Sequence, residues 1–278
     1  MALKQKKPSE MDYSEFVAFT KERNRPSGGI KTVQQVAVNA LVNSSKKMLE
    51  IGSNTGFTSV NMALSTGCSV IGIDTNDESI REARRYACEQ GVDNLVSFRN
   101  INALHMPFKD CSFDIVWCSN VASFINKKEK FFSECLRVLK YGGTLVVVPI
   151  YYRKRPPKKL VVAISKAIGC DIKVWHKTSW INLVLNSAAK NNYFLDLYYC
   201  KDFKYLNCQK DIPNYLKTML KKPHLQLLNS ALRSEVAERM SYFMNLFNKN
   251  LCYAGFSILL FQKRKAPEEI ELFLTTEL

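Results

Sequence analysis

From residue 47 onward the chain settles into an alternation that few folds accommodate. "KMLEIG" (47–52) is an apolar run of strand length, and residues 56–66 after it have helical spacing. The runs "SVIGID" (69–74), "NLVSFRN" (94–100), "FDIVWCSN" (113–120) and "TLVVVPIYY" (144–152) read as further strands. Between them, 77–91 and 128–140 read as helices, the first closed by Gly91. Strands alternating with helices predict a parallel sheet covered on both faces and joined by right-handed crossovers.

The flanks are more helical. "DYSEFVAFTKERN" reads as a short helix broken by "RPSGG" (25–29), and "IKTVQQVAVNALVNS" as a second, with Val33, Val36, Val38 and Leu41 at helical spacing. After the fifth strand the pattern loosens. A helix is expected over 177–192, then the strand "YFLDLYYC", a polar helical stretch at 211–250 and a last strand in "LCYAGFSILLFQKR". These boundaries predict an N-terminal helical cap (1–46), one α/β domain (47–265) with a helical, lid-like insertion at about 205–250, and a tail (266–278).

The loop "GSNTG" leaves a strand and enters a helix, which brings free backbone N–H groups to one spot. Gly56 is followed by Phe57 rather than Lys–Ser/Thr, so this is not a phosphate-gripping P-loop. The dinucleotide fingerprint G-x-G-x-x-G is also absent. Glu50, two residues before Gly52, would repel a pyrophosphate but tolerates an ammonium group. Asp74 ends the second strand 22 residues after Gly52, a spacing that suits hydrogen bonds to ribose hydroxyls. The expected ligand is therefore a nucleoside with a cationic amino-acid tail, a description that S-adenosylmethionine fits.

At this point the chain resembles the class I S-adenosylmethionine-dependent methyltransferases, most fully over residues 47–149. "LEIGSNTGF" is similar to the glycine-rich first motif and "IGIDTNDESI" to the second. "NALHMPFKDCSFDIVWCSNVASFI" resembles the adenine-contact stretch with the fourth strand, and "ECLRVLKYGGTLVVV" the following helix, turn and fifth strand. The resemblance implies a Rossmann-like, mostly parallel seven-stranded sheet with an antiparallel last strand. It implies cofactor contacts from Glu50, Gly52, Ser53, Asn54, Gly56, Asp74, Thr75, Asn102, Ala103, Ser119 and Asn120. Its product would be S-adenosylhomocysteine. Two residues depart from the family pattern. Asn54 stands where glycine is usual, and Asn tolerates the left-handed conformation better than most residues. Asn102 stands where aspartate is frequent, and its oxygen still accepts a hydrogen bond.

Methyl transfer needs a base only when the nucleophile arrives protonated. The catalytic residue is accordingly left open, with His176 and Tyr151 as candidates. Tyr13, Tyr151 and Phe57 are aromatics that suit a sulfonium. His105 reads as a surface residue. The N-P-P-Y sequence of amide methyltransferases and the Pro–Cys nucleophile of cytosine-C5 enzymes are absent, and no metal constellation is visible. A small-molecule acceptor with an O-, N- or C-nucleophile is expected, with a secondary metabolite, an anionic molecule and a carrier-bound intermediate all left open. The net charge of +15 and the run "YRKRPPKK" (152–159) support anionic partners and keep RNA or protein methylation as the alternative. A non-catalytic cofactor-binding subunit is the third reading. Nine cysteines with no C-x-x-C read as reduced thiols, and no apolar run is long enough to span a membrane. A cytoplasmic protein is expected.

Overall fold

The computed structural model describes residues 6–266, so most of the expected tail (266–278) lies outside the described residues. Strands β1 (Lys47–Ile51), β2 (Ser69–Asp74), β3 (Val96–Asn100), β4 (Phe113–Cys118), β5 (Leu139–Val147), β6 (Ile150–Tyr152), β7 (Phe194–Lys204) and β8 (Ala254–Arg264) form one sheet. The order β3-β2-β1-β4-β5 is parallel throughout, with Met48 opposite Ile115 and Leu49 opposite Ile71. β8 then enters antiparallel to β5, and β7 pairs with its other edge, also antiparallel.

Eight strands stand where seven are expected, and Pro149 accounts for the difference. β5 and β6 pair with consecutive stretches of β8, Val147 with Leu259 and Ile150 with Phe256. Proline lacks an N–H and interrupts the ladder between them. Only β8 runs against the rest, as expected for the last strand.

The helices are α1 (Tyr13–Phe19), α2 (Ile30–Asn39), α3 (Phe57–Thr66), α4 (Asp77–Glu89), α5 (Val121–Phe124), α6 (Lys128–Val138), α7 (Lys158–Ile168), α8 (Lys177–Lys190), α9 (Ile212–Met219), α10 (Pro223–Gln226) and α11 (Ser230–Leu251). Side chains alternate along each strand, so the sheet feeds two cores. Leu49, Val116 and Phe261 join Phe132 of α6 and Val184 of α8 on one face. Met48, Trp117 and Leu260 join Val36 of α2, Val60 of α3 and Ala83 of α4 on the other. A third cluster is built mainly from helices: Phe16 of α1, Ala167 of α7, Met219 of α9 and Phe243 of α11. The N-terminal helix and the late helices thus share one apolar core. Among the described residues no helix is long and apolar enough to cross a membrane.

Helix α7 is absent from the sequence expectation, which reads 152–159 only as a basic run. Its apolar residues Ile164 and Ala167 are buried, and Pro156–Pro157 directly precede it. A proline at a helix start is a recognised N-terminal signal.

Candidate functional site

β1 and β4 lie at the centre of the sheet, and their C-terminal ends carry the loops that form the site. The glycine loop turns through three left-handed residues: Gly52 (φ 75°), Asn54 (φ 44°) and Gly56 (φ 85°). Asn54 adopts the conformation that its departure from glycine requires. Gly56 has no substitute, because a Cβ there would sit 2.9 Å from the Phe98 ring and 3.0 Å from Ala83. A Cβ at Gly52 would sit 2.6 Å from Val121, so α5 closes directly onto the loop.

Asp74 faces this loop. Its Oδ2 accepts the Asn54 N–H and its Oδ1 the Asn76 N–H, both at 3.0 Å. Asn76, not Asp74, caps α4, by accepting the Ser79 N–H. Two backbone amides therefore fix the carboxylate while it stays half-exposed at the strand end. Glu50 is buried and accepts the Ser59 N–H at 2.9 Å and the Ser59 hydroxyl. Burial pushes its carboxyl up to about 7.

Ser53 and Ser119 carry buried hydroxyls that have no hydrogen-bond partner among the described residues. Unpaired buried polar groups are rare and call for an explanation. Both stand at the sheet edge where open α/β sheets bind ligands. The loop 52–56 itself has no basic side chain. The loop amides expected to be free are all paired inside the protein: Gly52 and Ser53 donate to the Ile73 carbonyl, Asn54 to Asp74, Thr55 to the Asn54 side chain and Gly56 to the Ser53 carbonyl. Two carboxylates, two unpaired hydroxyls and no spare loop amide suit a polyhydroxylated, cationic nucleoside better than a phosphate. Thr75 and Asn102 are exposed beyond this edge, and Asn102 Oδ1 accepts the Leu104 N–H at 2.9 Å. Ala103 is buried in the core next to them.

Residues 20–28 cover the loop. The Thr55 hydroxyl donates to the Glu22 carbonyl at 2.7 Å, and the Asn24 N–H donates to that hydroxyl at 3.2 Å. Arg23 pairs with Glu82 at 2.7 Å and stacks on Tyr86. Lys222 ties the segment to the helical cluster through Glu22 at 2.8 Å and the Lys21 carbonyl at 2.8 Å. Arg25 lies over the Phe57 ring.

Asn120 joins the loop to a cavity of about 940 Å³. Its Oδ1 accepts from Ser27 Oγ at 3.4 Å, and Ser27 is also hydrogen-bonded to Tyr205. Tyr152 donates to Asn250 at 2.9 Å on the same wall. Trp175 and Trp180 form an edge-to-face pair beneath Ile150, and the Trp180 Nε1–H donates to its carbonyl at 3.2 Å. Tyr13 also lines the cavity, packed against Phe243 and Phe247.

The two candidate catalytic residues lie elsewhere. Tyr151 and His176 come together in a separate cleft of about 550 Å³, with Arg153, Lys204 and the Lys177–Asp202 ion pair. His176 Nδ1 is 2.9 Å from the Tyr152 carbonyl. In the run 152–159, Tyr152 borders both the large cavity and the cleft, and Arg153 lines the cleft. His105 is exposed beside Lys130. Ser27, Tyr205, Asn250 and the two tryptophans were not legible as site residues, because nothing in their local sequence marks them. The tryptophans offered one signal, since Trp175 and Trp180 flank the start of a helix that follows the fifth strand.

This architecture, a 3-2-1-4-5 parallel sheet with an antiparallel strand inserted beyond it, is the class I S-adenosylmethionine-dependent methyltransferase fold. Residues 49–147 match the family model described as a methyltransferase domain. An uncharacterised protein of Haemophilus influenzae is 27% identical over 184 residues, 66% of this chain and 73% of that one. Norajmaline N-methyltransferase of Rauvolfia serpentina is 35% identical over 112 residues, 40% of this chain and 38% of that enzyme. The chain therefore spans well under half the length of that named relative. The crystal structure of MccD protein superposes with a TM-score of 0.69 at 20% identity, covering 87% of this chain and all of that one (100%).

Proposed function

We propose that this protein binds S-adenosylmethionine at the glycine loop and methylates a small molecule held in the neighbouring cavity. The observation that carries this reading is the pairing of Asp74, fixed by two loop amides, with a 940 Å³ cavity reached through Asn120. Asp74 would hold the ribose. The unpaired Ser53 and Ser119 hydroxyls, the backbone of Gly52 and Gly56, and the buried Glu50 would hold the amino-acid tail. Thr75, Asn102 and Ala103 border the adenine side. When bound, the cofactor supplies an electrophilic methyl group.

The protein's own residues orient the acceptor and keep water out. Asn120, Ser27 and Tyr205 form a neutral hydrogen-bonding group where loop and cavity meet, suited to aligning a nucleophile. No histidine lines the cavity among the described residues. Its wall carries the carboxylates Glu129 and Asp171, and a base is needed only where the nucleophile arrives protonated. The helices around 205–250 and residues 20–28 act together as the lid.

Calorimetric titration of S-adenosylhomocysteine into wild type, Asp74→Asn and Asp74→Ala tests the reading. Micromolar binding that either substitution weakens tenfold or more supports it. A folded wild type that binds neither S-adenosylmethionine nor S-adenosylhomocysteine would end it. Binding without turnover across an acceptor screen would favour the cofactor-binding subunit instead. The net charge of +15 favours RNA as the second reading. Its signature would be RNA affinity that falls steeply with salt.

A further inference from the structure

The cavity beside the glycine loop contains an electrostatic choice that its aromatic walls alone do not make. Trp175 and Trp180, with several tyrosines, form the type of lining that attracts cations. A lysine of the protein already stands there. Lys128 Nζ lies 5.7 Å from the Trp175 ring and 5.9 Å from the Trp180 ring. It donates to the carbonyls of Ala122, Ser123 and Ile125 at 2.8, 3.2 and 2.6 Å, and so caps the end of α5. Three neutral carbonyls satisfy its protons but leave its charge uncompensated. Burial lowers its affinity for the proton, and Lys173 nearby lowers it further.

The rest of the wall adds to this charge. Lys127, Lys173 and Arg25 also line the cavity, against two acids, Glu129 and Asp171. Glu129 is already paired with Lys190 at 2.7 Å. A protonated amine would therefore enter a site that repels it, and an anion would be drawn in. The apolar remainder, including Phe124, Ile164 and Leu183, suits a hydrophobic body.

On the reading of this cavity as the acceptor site, we infer that the acceptor is an amphipathic anion. Its hydrophobic body lies against Trp175 and Trp180, and its carboxylate or phosphate head sits at the Lys128–Lys173 end. The polar group of Asn120, Ser27 and Tyr205 lies at the other end of α5. The helix between them is four residues long, about 6 Å along its axis.

Tryptophan fluorescence tests this without any cofactor, because Trp175 and Trp180 line the cavity and Trp117 is buried in the sheet core. The probes share one body: octanoate, octyl phosphate, octanamide and octylamine. Octanoate or octyl phosphate should bind at least tenfold more tightly than octylamine and octanamide. Whichever anion binds more tightly identifies the head as carboxylate or phosphate. Lys173→Gln, which removes charge without touching α5, should cut the anion preference at least threefold. Lys128→Met should abolish it, and Lys128→Arg should retain it. Octylamine or octanamide binding as well as both anions, or no probe binding to the folded protein, would overturn the inference. So would an anion preference unmoved in both Lys173→Gln and Lys128→Met. Failure of the cofactor titration with retained anion preference would overturn the methyltransferase reading and leave this site standing.

Discussion

Around the glycine loop, the two carboxylates are held within one strand–helix–strand unit: Glu50 by Ser59, Asp74 by Asn54 and Asn76. The cavity beside it draws on Tyr13, Asn120, Tyr152, Trp180, Tyr205 and Leu251. The loop is backbone geometry fixed by a few left-handed residues on a central strand. The cavity is side-chain packing between segments that meet only in the folded protein. Local geometry makes the first robust to changes elsewhere. The second depends on the helical cluster, and its chemistry can change without disturbing the loop.

The largest effect that would break this comparison comes from Trp180→Ala. Trp180 is 3% exposed, and truncating a buried tryptophan costs about 3–5 kcal/mol. Urea denaturation should report that loss, while S-adenosylhomocysteine affinity of the folded variant stays within about threefold. A parallel collapse of affinity would mean that the two regions are not separable.

A smaller effect belongs to the loop. Burial lets Glu50 hold its proton up to about 7 in the folded protein, against an ordinary value of 4.5 for an exposed glutamate. The folded state then binds more protons than the unfolded state between these pH values. Stability should fall as pH rises from 4.5 to 7, by up to about 3 kcal/mol. Glu50→Gln should flatten that slope in urea titrations at pH 5, 6 and 7. An unchanged slope would assign the pH dependence to other groups.

The smallest effect sharpens the argument about left-handed backbone. Asn54→Ala should cost about 1–2 kcal/mol, because alanine meets the full steric penalty at positive φ. Asn54→Gly should stay within about 1 kcal/mol of wild type, its backbone freedom offsetting the lost Thr55 N–H contact. Equal urea midpoints for the two variants would show that the loop is not held left-handed at this residue.

The same contrast explains what the sequence discloses. Gly52, Gly56, Asp74 and the strands around them are legible because spacing along the chain equals placement in space. β6 escapes the sequence because one proline divides a single apolar run. α7 escapes because its basic lead-in reads as loop, although Pro156–Pro157 announces its start. Ser27 and Tyr205 are hydrogen-bonded across 178 residues, a partnership that periodicity cannot encode. Lys128 appears in the sequence as one more surface lysine, and only the fold brings it beside two tryptophans.

β8 links the sheet to its far edge. It lies between β5 and β7, and among the described residues β7 has no other neighbour in the sheet. During synthesis, five parallel strands can therefore assemble early, while β7 emerges from the ribosome with nothing to pair with. Its 11 residues wait as an open edge until residues 254–264 are made and slide in beside them. In that interval the nascent chain is most exposed to mispairing with a neighbour.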